Sequence, residues 1–503
     1  MSIISNSLNK QYSNKTIAKN TFYNLVGYII PFGIAVVLIP PLVKELGDER
    51  FGILNLVWIV IGYFSLFDFG IGKTLTKIIA EKIGLNKEEE IPGIFWTSIF
   101  LMAVISFLGA VILIFFSNDL VNHFFNISNS LKPETFKSFI MIALIIPFIT
   151  TTAGFRGVLE AYQKFKVINI LRIILGAFTF IIPLFCLFFT TDLFWIVTSL
   201  VFMRIVIWIL YLLQCFKINN SIKSKFGYSR ELIKPVLKMS GWIAIANIAA
   251  PIIIYSDRFF IGGLISASAV TYYATPYEVV TRLWVIPAAL VSVLFPIFSS
   301  SYSNNPELSK KLFSKGIKFI FLFLFPIVFL MVVFSREGMD LWLGEKFSQN
   351  SSLILQIFAI GILINSIAYI PFHFFQGIGK PDIPAKINLI ELPVYVLLMW
   401  FFIIKMGTIG AALVWLFRIV IDALILFFIA NKTIHTIFSS KLTIFIVAVM
   451  VSVLIFPIFI NNIIIKLVYG GVIVLSFLIT TWKLFLSIEE KTFLISKMKL
   501  IEK

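Results

Sequence analysis

The chain has 503 residues, of which 59% are hydrophobic and 13% charged, with a mean hydropathy of +0.99 and a formal net charge of +17. A soluble protein of this length is nearer half apolar and a quarter charged, so the excess, which is spread along the whole chain, excludes a water-soluble fold and predicts an all-α polytopic membrane protein. The positive charge is read as membrane topology and not as nucleic-acid binding, because no soluble segment is long enough to build a basic surface with base-stacking aromatics.

Residues 1–19 form a polar, basic tail without an evident cleavable signal. Apolar runs of about 20 residues mark the crossings that follow. The first two spans cover Asn20–Val43 and Phe51–Gly72, joined by the turn KELGDER, and the second closes in FDFGIGK with Asp68. The third runs to about Ser117, the fourth ends near Phe155, and the fifth and sixth cover Ile168–Phe189 and Leu193–Leu213. Together these make a first half, 20–216. The linker 217–238 is basic, with Lys217, Lys223, Lys225, Arg230, Lys234 and Lys238. A second half, 239–432, opens with a hairpin of two spans from Ser240 to Ser301 that turns near Gly262–Ala269. Its later spans end near Phe334 and Phe375, and its last covers Ile409–Ala430. Two further spans, Leu442–Ile460 and Leu467–Leu486, fall within 441–486, and a basic tail, 487–503, closes the chain.

The total is about 14 helices, with about 29 Lys and Arg in the segments on one side and about 8 on the other. An even count then places both termini in the cytoplasm. Cys186 and Cys215 are not spaced as metal ligands, His123, His373 and His435 are scattered, and no long external loop carries a catalytic constellation. The chain therefore reads as a non-enzyme without a cofactor.

The halves echo one another. Phe155-Arg156-Gly157 leaves the fourth span and is followed by Lys166 and Asn169; Phe375-Gln376-Gly377 leaves the tenth and is followed by Lys386 and Asn388. Two six-helix lobes of the same topology are the expectation, as in transporters built from parallel repeats.

A charge at the bilayer centre costs about 2.5–3.5 kcal/mol on insertion scales, so intramembrane charges need a reason. Five basic residues (Arg172, Arg204, Arg258, Arg282, Arg418) and five acids (Asp68, Asp257, Glu278, Glu391, Asp422) lie within the predicted spans. Glu278 with Arg282, and Arg418 with Asp422, have i, i+4 spacing and can pair on one helix face. Asp257 and Arg258 are adjacent and point about 100° apart. Arg172 and Glu391 are near span ends, where snorkelling explains them. Arg204, in VFMRIVIW, is central and has no acid nearby in sequence; it either lines a cavity or meets a partner such as Asp68. Arginine suits phosphate because its planar fork gives paired hydrogen bonds and keeps its charge when desolvated. A cavity holding Arg204, Arg258 and Arg282 suits a diphosphate, whereas one holding Asp68, Asp257 and Glu278 suits cations and protons, and composition alone does not decide.

The segment NTFYNLVGYIIPFGIAVVLIPPLVKELGDERFGILNLVWIVIGYFSLFDFGIG resembles the start of the O-antigen and oligosaccharide-lipid flippases (Wzx-type) of the multidrug/oligosaccharidyl-lipid/polysaccharide exporter superfamily. The leading Asn, the Pro-Leu before an LG-x-E-x-FG turn and the closing D-x-G carry the likeness. The hairpin SDRFFIGGLISASAVTYYATPYEVV, with Ser256-Asp257-Arg258 and Tyr272-Tyr273, is similar to the second-half signature. The resemblance implies a MATE-like fold, two six-helix lobes plus two C-terminal helices, in the bacterial cytoplasmic membrane. It implies translocation of undecaprenyl-diphosphate-linked oligosaccharide by alternating access, driven by an H⁺ or Na⁺ gradient, alongside a polysaccharide polymerase and glycosyltransferases. Arg204, Arg258, Arg282 and Arg418 are then the candidate substrate ligands, and Asp68, Asp257, Glu278 and Asp422 the ion-coupling residues or structural pairs. The rival expectations are an ion-coupled multidrug or organic-cation antiporter of the same fold, and a membrane-embedded polymerase or ligase.

Overall fold

Isoleucine and phenylalanine fill the apolar runs, and in water neither is a strong helix former. A bilayer removes the choice, because backbone N–H and C=O groups have no water to bond and must pair within the segment. The computed structural model describes residues 14–66, 70–85, 87–224, 227, 233, 254–434, 452–460, 462–488 and 490–492. Among these residues the secondary structure is helical throughout, and nine helical segments are long and apolar enough to cross a membrane. Two of the nine hold two helices each, broken at Gly47 (φ 74°) and Gly407 (φ 62°), where the left-handed backbone suits only glycine. A described helix stands, wholly or in part, at every predicted span. Asp68, residues 240–253 and residues 442–451 lie outside the described residues, as does most of the basic linker.

The chain divides into two compact units, 1–274 and 275–503. In the first unit, the segment Asn14–Leu66 gives α1 (14–46) and α2 (48–66). There follow α3 (Ile71–Gly84), α4 (Ile91–Asp119), α5 (Lys132–Ala161), α6 (Phe165–Cys186) and α7 (Leu193–Ile218). After the linker come α8 (254–264) and the start of α9 (Ala267–Thr281). Short connections alternate the direction of the long helices. One face of this bundle, the near face, carries Asn14 and the α5–α6 turn. The opposite far face carries the Gly47 turn and the α4–α5 and α6–α7 connections.

Small residues set the helix spacing. A Cβ at Gly157 of α5 would lie 2.7 Å from the Gly72 carbonyl of α3, and one at Gly176 of α6 would lie 2.7 Å from Pro31 of α1. Around these contacts Phe95, Phe155 and Trp208 pack with centroid distances of 5.8 and 5.6 Å, and the Trp208 indole N–H donates to Thr151 Oγ1 at 2.8 Å. The fourth predicted span is a correction: α5 does not end near Phe155 but runs six residues further, to Ala161. Hydropathy marks the bilayer, not the helix, and the last turn of α5 is simply polar.

In the second unit a 3₁₀ turn, Arg282–Trp284, leads into α10 (Val285–Asn304), then α11 (Pro306–Val333), α12 (Ser335–Leu343) and α13 (Glu345–Gly377). The segment Asp382–Ile434 supplies α14 (382–406) and α15 (408–434), and α16 is Ile463–Thr480. Tyr277, Phe358 and Trp415 meet edge to face at 5.0–5.8 Å, over Gly361, where a Cβ would lie 2.3 Å from the Trp415 ring. The repeated glycine makes the same kind of contact here as in the first unit: a Cβ at Gly377 would lie 3.3 Å from the Phe295 carbonyl of α10.

The last helix is clipped to α11 and α12 along its length. Lys466 reaches Glu337 at 2.8 Å, Phe477 stacks on Phe325 at 4.8 Å, and beyond the helix Glu490 takes Lys318 at 2.7 Å. Burial pulls the Glu490 carboxyl upward, but the Lys318 hydrogen bond, the Ser487 amide and the charges of Lys318 and Lys315 outweigh it and hold the group below its ordinary value of 4.5.

Candidate substrate cavity

Helices α2, α5, α6 and α7 of the first unit enclose a cavity of about 310 Å³. Three arginines stand in its wall, one from each of α5, α6 and α7: Arg156, Arg172 and Arg204. At about 1.5 Å rise per residue, Arg156 and Arg172 lie roughly 8 and 10 Å inside the near face, and Arg204 roughly 21 Å inside it. Trp58 and Tyr211 supply aromatic surface, Thr152 and Thr179 supply hydroxyls, and Ile61, Ile149 and Ile207 the apolar remainder.

The electrostatics are one-sided, since no Asp or Glu is among the lining residues. Arg156 is partly offset by Glu160 at 3.5 Å, one turn on along α5. Arg172 donates to the Asn169 side chain at 2.9 Å, and Asn169 is itself wedged against Gly27 of α1. Arg204 is half-buried, and among the described residues no side chain pairs with it. A cation set in apolar surroundings without a counter-ion is electrostatically costly, and an entering anion relieves that cost. Three guanidinium groups around one space can receive the oxygens of a phosphate or diphosphate through charge-assisted hydrogen bonds.

The other candidate residues sit elsewhere. Arg258 and Asp257 are both buried in α8, where Tyr273 donates to Asp257 at 2.8 Å and Arg258 donates to the Ile254 carbonyl at 3.1 Å. The Tyr255 hydroxyl, on the same helix, stands 3.1 Å from where a Gly62 Cβ would be, so α8 backs the cavity wall without putting a charge in it. In the second unit Glu278 and Arg282 pair at 3.1 Å, as their i, i+4 spacing predicts, with Glu278 exposed and Arg282 half-buried. Arg418 lies 3.7 Å from Glu391 of α14, and its guanidinium sits over the Tyr395 ring at 5.4 Å. Glu391 is thus a buried partner and not a snorkelling end residue, while the expected partner, Asp422, is the next acid along α15. Asp68 lies outside the described residues.

Sequence reading found Arg204 and passed over Arg156, Arg172, Trp58 and Tyr211. The internal echo held the missing signal. Arg156 is the variable residue of Phe-Arg-Gly, replaced by Gln376 in the second copy, and three residues beyond the repeated Asn stand Arg172 in one half and Glu391 in the other.

The fold is MATE-like, as two solved structures show. An inward-facing multidrug-resistance MATE transporter superposes with a TM-score of 0.66 at 15% identity, covering 81% of this chain and 94% of its own. The lipid II flippase MurJ in an inward closed conformation superposes at 0.67 with 18% identity, covering 93% of this chain and 100% of its own. Residues 17–302 match the family described as "Polysaccharide biosynthesis protein", and residues 242–401 match the MatE family. A Shigella flexneri protein named "Putative O-antigen transporter" is 31% identical over 412 residues, which is 82% of this chain and 97% of that protein. The chain belongs to the polysaccharide biosynthesis protein family, and it is a multi-pass membrane protein.

Proposed function

We propose that this protein is a flippase for undecaprenyl-diphosphate-linked oligosaccharide, moving it across the bacterial cytoplasmic membrane for surface-polysaccharide synthesis. The observation that carries the reading is the cavity of Arg156, Arg172 and Arg204 with no carboxylate among its lining residues. Such a site suits a diphosphate and repels an organic cation, so the drug-antiporter alternative finds no support there. The names of the Shigella relative and of MurJ fit the same cargo class. The lipid tail stays in the bilayer while the headgroup crosses by alternating access, and an H⁺ or Na⁺ gradient supplies the drive. The near face is cytoplasmic on the distribution of Lys and Arg. Glycosyltransferases then deliver cargo on that side, and a polymerase receives it on the other.

The test uses purified protein in liposomes, comparing transbilayer movement of a polyprenyl-diphosphate oligosaccharide with gradient-driven uptake of an organic cation. Glycolipid movement without cation uptake is expected. Cation uptake without glycolipid movement overturns the reading.

A further inference from the structure

The three arginines of the cavity wall are held in different ways. Arg156 has a carboxylate, Glu160, at 3.5 Å. Arg204 has no side-chain partner among the described residues. Arg172 has an amide: its Nη1 donates to Asn169 Oδ1 at 2.9 Å, one turn back along α6.

Asn169 is 2% exposed and is fixed from two sides. Its Nδ2 donates to the Phe165 carbonyl at 2.8 Å, which uses the donor end of the amide and turns the acceptor end toward Arg172. Gly27 of α1 closes the other side. A Cβ there would lie 2.5 Å from Asn169 Oδ1 and 3.2 Å from its Cγ, so the amide sits where only a glycine leaves room for it. Asn169 is the first of the two asparagines in the sequence echo, and it is not among the residues that line the cavity.

The hydrogen bond matters because of where Arg172 stands. Helical side chains lean toward the N-terminus of their helix, which for α6 is the near face. A long cation roughly 10 Å inside that face would stretch on to water if nothing stopped it. Asn169 stops it within the wall. An amide does so without touching the charge, because its carbonyl oxygen accepts an N–H and leaves the guanidinium cationic. A carboxylate at the same point would hold the group equally well and cancel it, as Glu160 does in part for Arg156. A guanidinium already held also loses less freedom when an anion arrives.

We infer that Asn169, seated on Gly27, is a positioning residue: it presents Arg172 to the diphosphate in one orientation and with its charge uncancelled. The inference rests on the diphosphate reading of the cavity. It gives Gly27 of α1 a part in cargo recognition, although Gly27 is not itself a lining residue.

The experiment places one thiol in the cavity, Thr179→Cys, in a full-length chain carrying Cys186→Ser and Cys215→Ala. It compares the rates at which that thiol reacts with an anionic and a cationic methanethiosulfonate. The ratio of the two rates reads the charge that the cavity presents, with no cargo needed. Asn169→Leu keeps nearly the same shape and removes the oxygen. It is expected to lower the anionic-to-cationic ratio at least about three-fold, and to change nothing once Arg172→Gln is present. Asn169→Asp keeps the oxygen and cancels the charge, and should bring the ratio down to that of Arg172→Gln. A ratio that Asn169→Leu leaves unchanged, or lowers equally with and without Arg172→Gln, overturns the inference. If Asn169→Leu does not fold, Gly27→Ala, which pushes on the amide from α1, takes its place with the same expectation. Titration with inorganic pyrophosphate then separates the two readings. The expected fall in ratio, in a protein that binds no pyrophosphate, leaves Asn169 as the positioning residue and removes the diphosphate. Pyrophosphate bound equally well by the wild-type protein and by Asn169→Leu overturns the inference and leaves the cavity reading in place.

Discussion

Arg204 is a cation in the middle of an apolar helix, and among the described residues it has no partner. Its role then depends on what enters the cavity. Arg204→Ala should leave insertion and folding unchanged, since no internal ion pair is broken. It removes a charged hydrogen-bond donor worth about 1.5–3 kcal/mol, on the order of a ten- to hundred-fold loss in glycolipid affinity. Arg204→Lys should recover only part of this, because an ammonium lacks the paired fork. Binding by both variants and melting in detergent check the split, and an Arg204→Ala protein with native affinity would remove the residue from the site. Arg204 could be read from the sequence because it is isolated there. Arg156 could not, because the apolar stretch ends one residue before it while the helix continues. Arg172 was hidden for a similar reason: a charge a few residues inside a span looks like a snorkelling end residue until the neighbouring helices are placed around it.

At the scale of elements, breaks and clips matter more than the helices themselves. The left-handed Gly47 turns the chain inside the polar run KELGDER, whereas Gly407 turns it where no proline or polar run announces it. That the chain crosses the membrane many times was legible from hydropathy, whereas the docking of α16 on α11 was not, because apolar helices carry little information about which face meets which neighbour. The polar contacts in its first turn, Lys466 with Glu337, and beyond its end, Glu490 with Lys318, decide it. Glu490 is held in its charged form by Lys318, so its folded value lies below its unfolded value near 4.5. A depressed carboxylate contributes stability that is present above the unfolded value and is lost as pH falls through the folded one. Wild-type protein should therefore melt higher than Glu490→Gln at neutral pH, and the difference should vanish as pH falls below about 4.5. A difference that does not shrink as pH falls below about 4.5 would mean that the clip does not depend on this charge.

For the molecule as a whole, the repeat and the charge pattern say different things. Gly157 and Gly377, the glycines of the sequence echo, each come near a neighbouring carbonyl, 2.7 and 3.3 Å from where a Cβ would be. The charge is inverted, with Arg172 and Glu391 at corresponding steps beyond the repeated Asn. The first unit carries a cavity walled by three arginines. If that cavity recognises the anionic headgroup and not the glycan, inorganic pyrophosphate on the near side should compete with the glycolipid, and free neutral oligosaccharide of the same repeat should not. The opposite result would move recognition away from the arginines. By helix rise the backbone of Arg204 stands roughly 11 Å deeper than that of Arg172, and a stagger of this kind has a kinetic meaning. A single tight cluster would make a deep energy well from which a diphosphate escapes slowly. Charges spread along the path make a flight of shallow steps, each handing the phosphate on before the previous one has fully released it. Turnover in such a protein is limited by how evenly the steps are spaced, and shifting Arg204 by one helical turn should slow passage even where binding tightens.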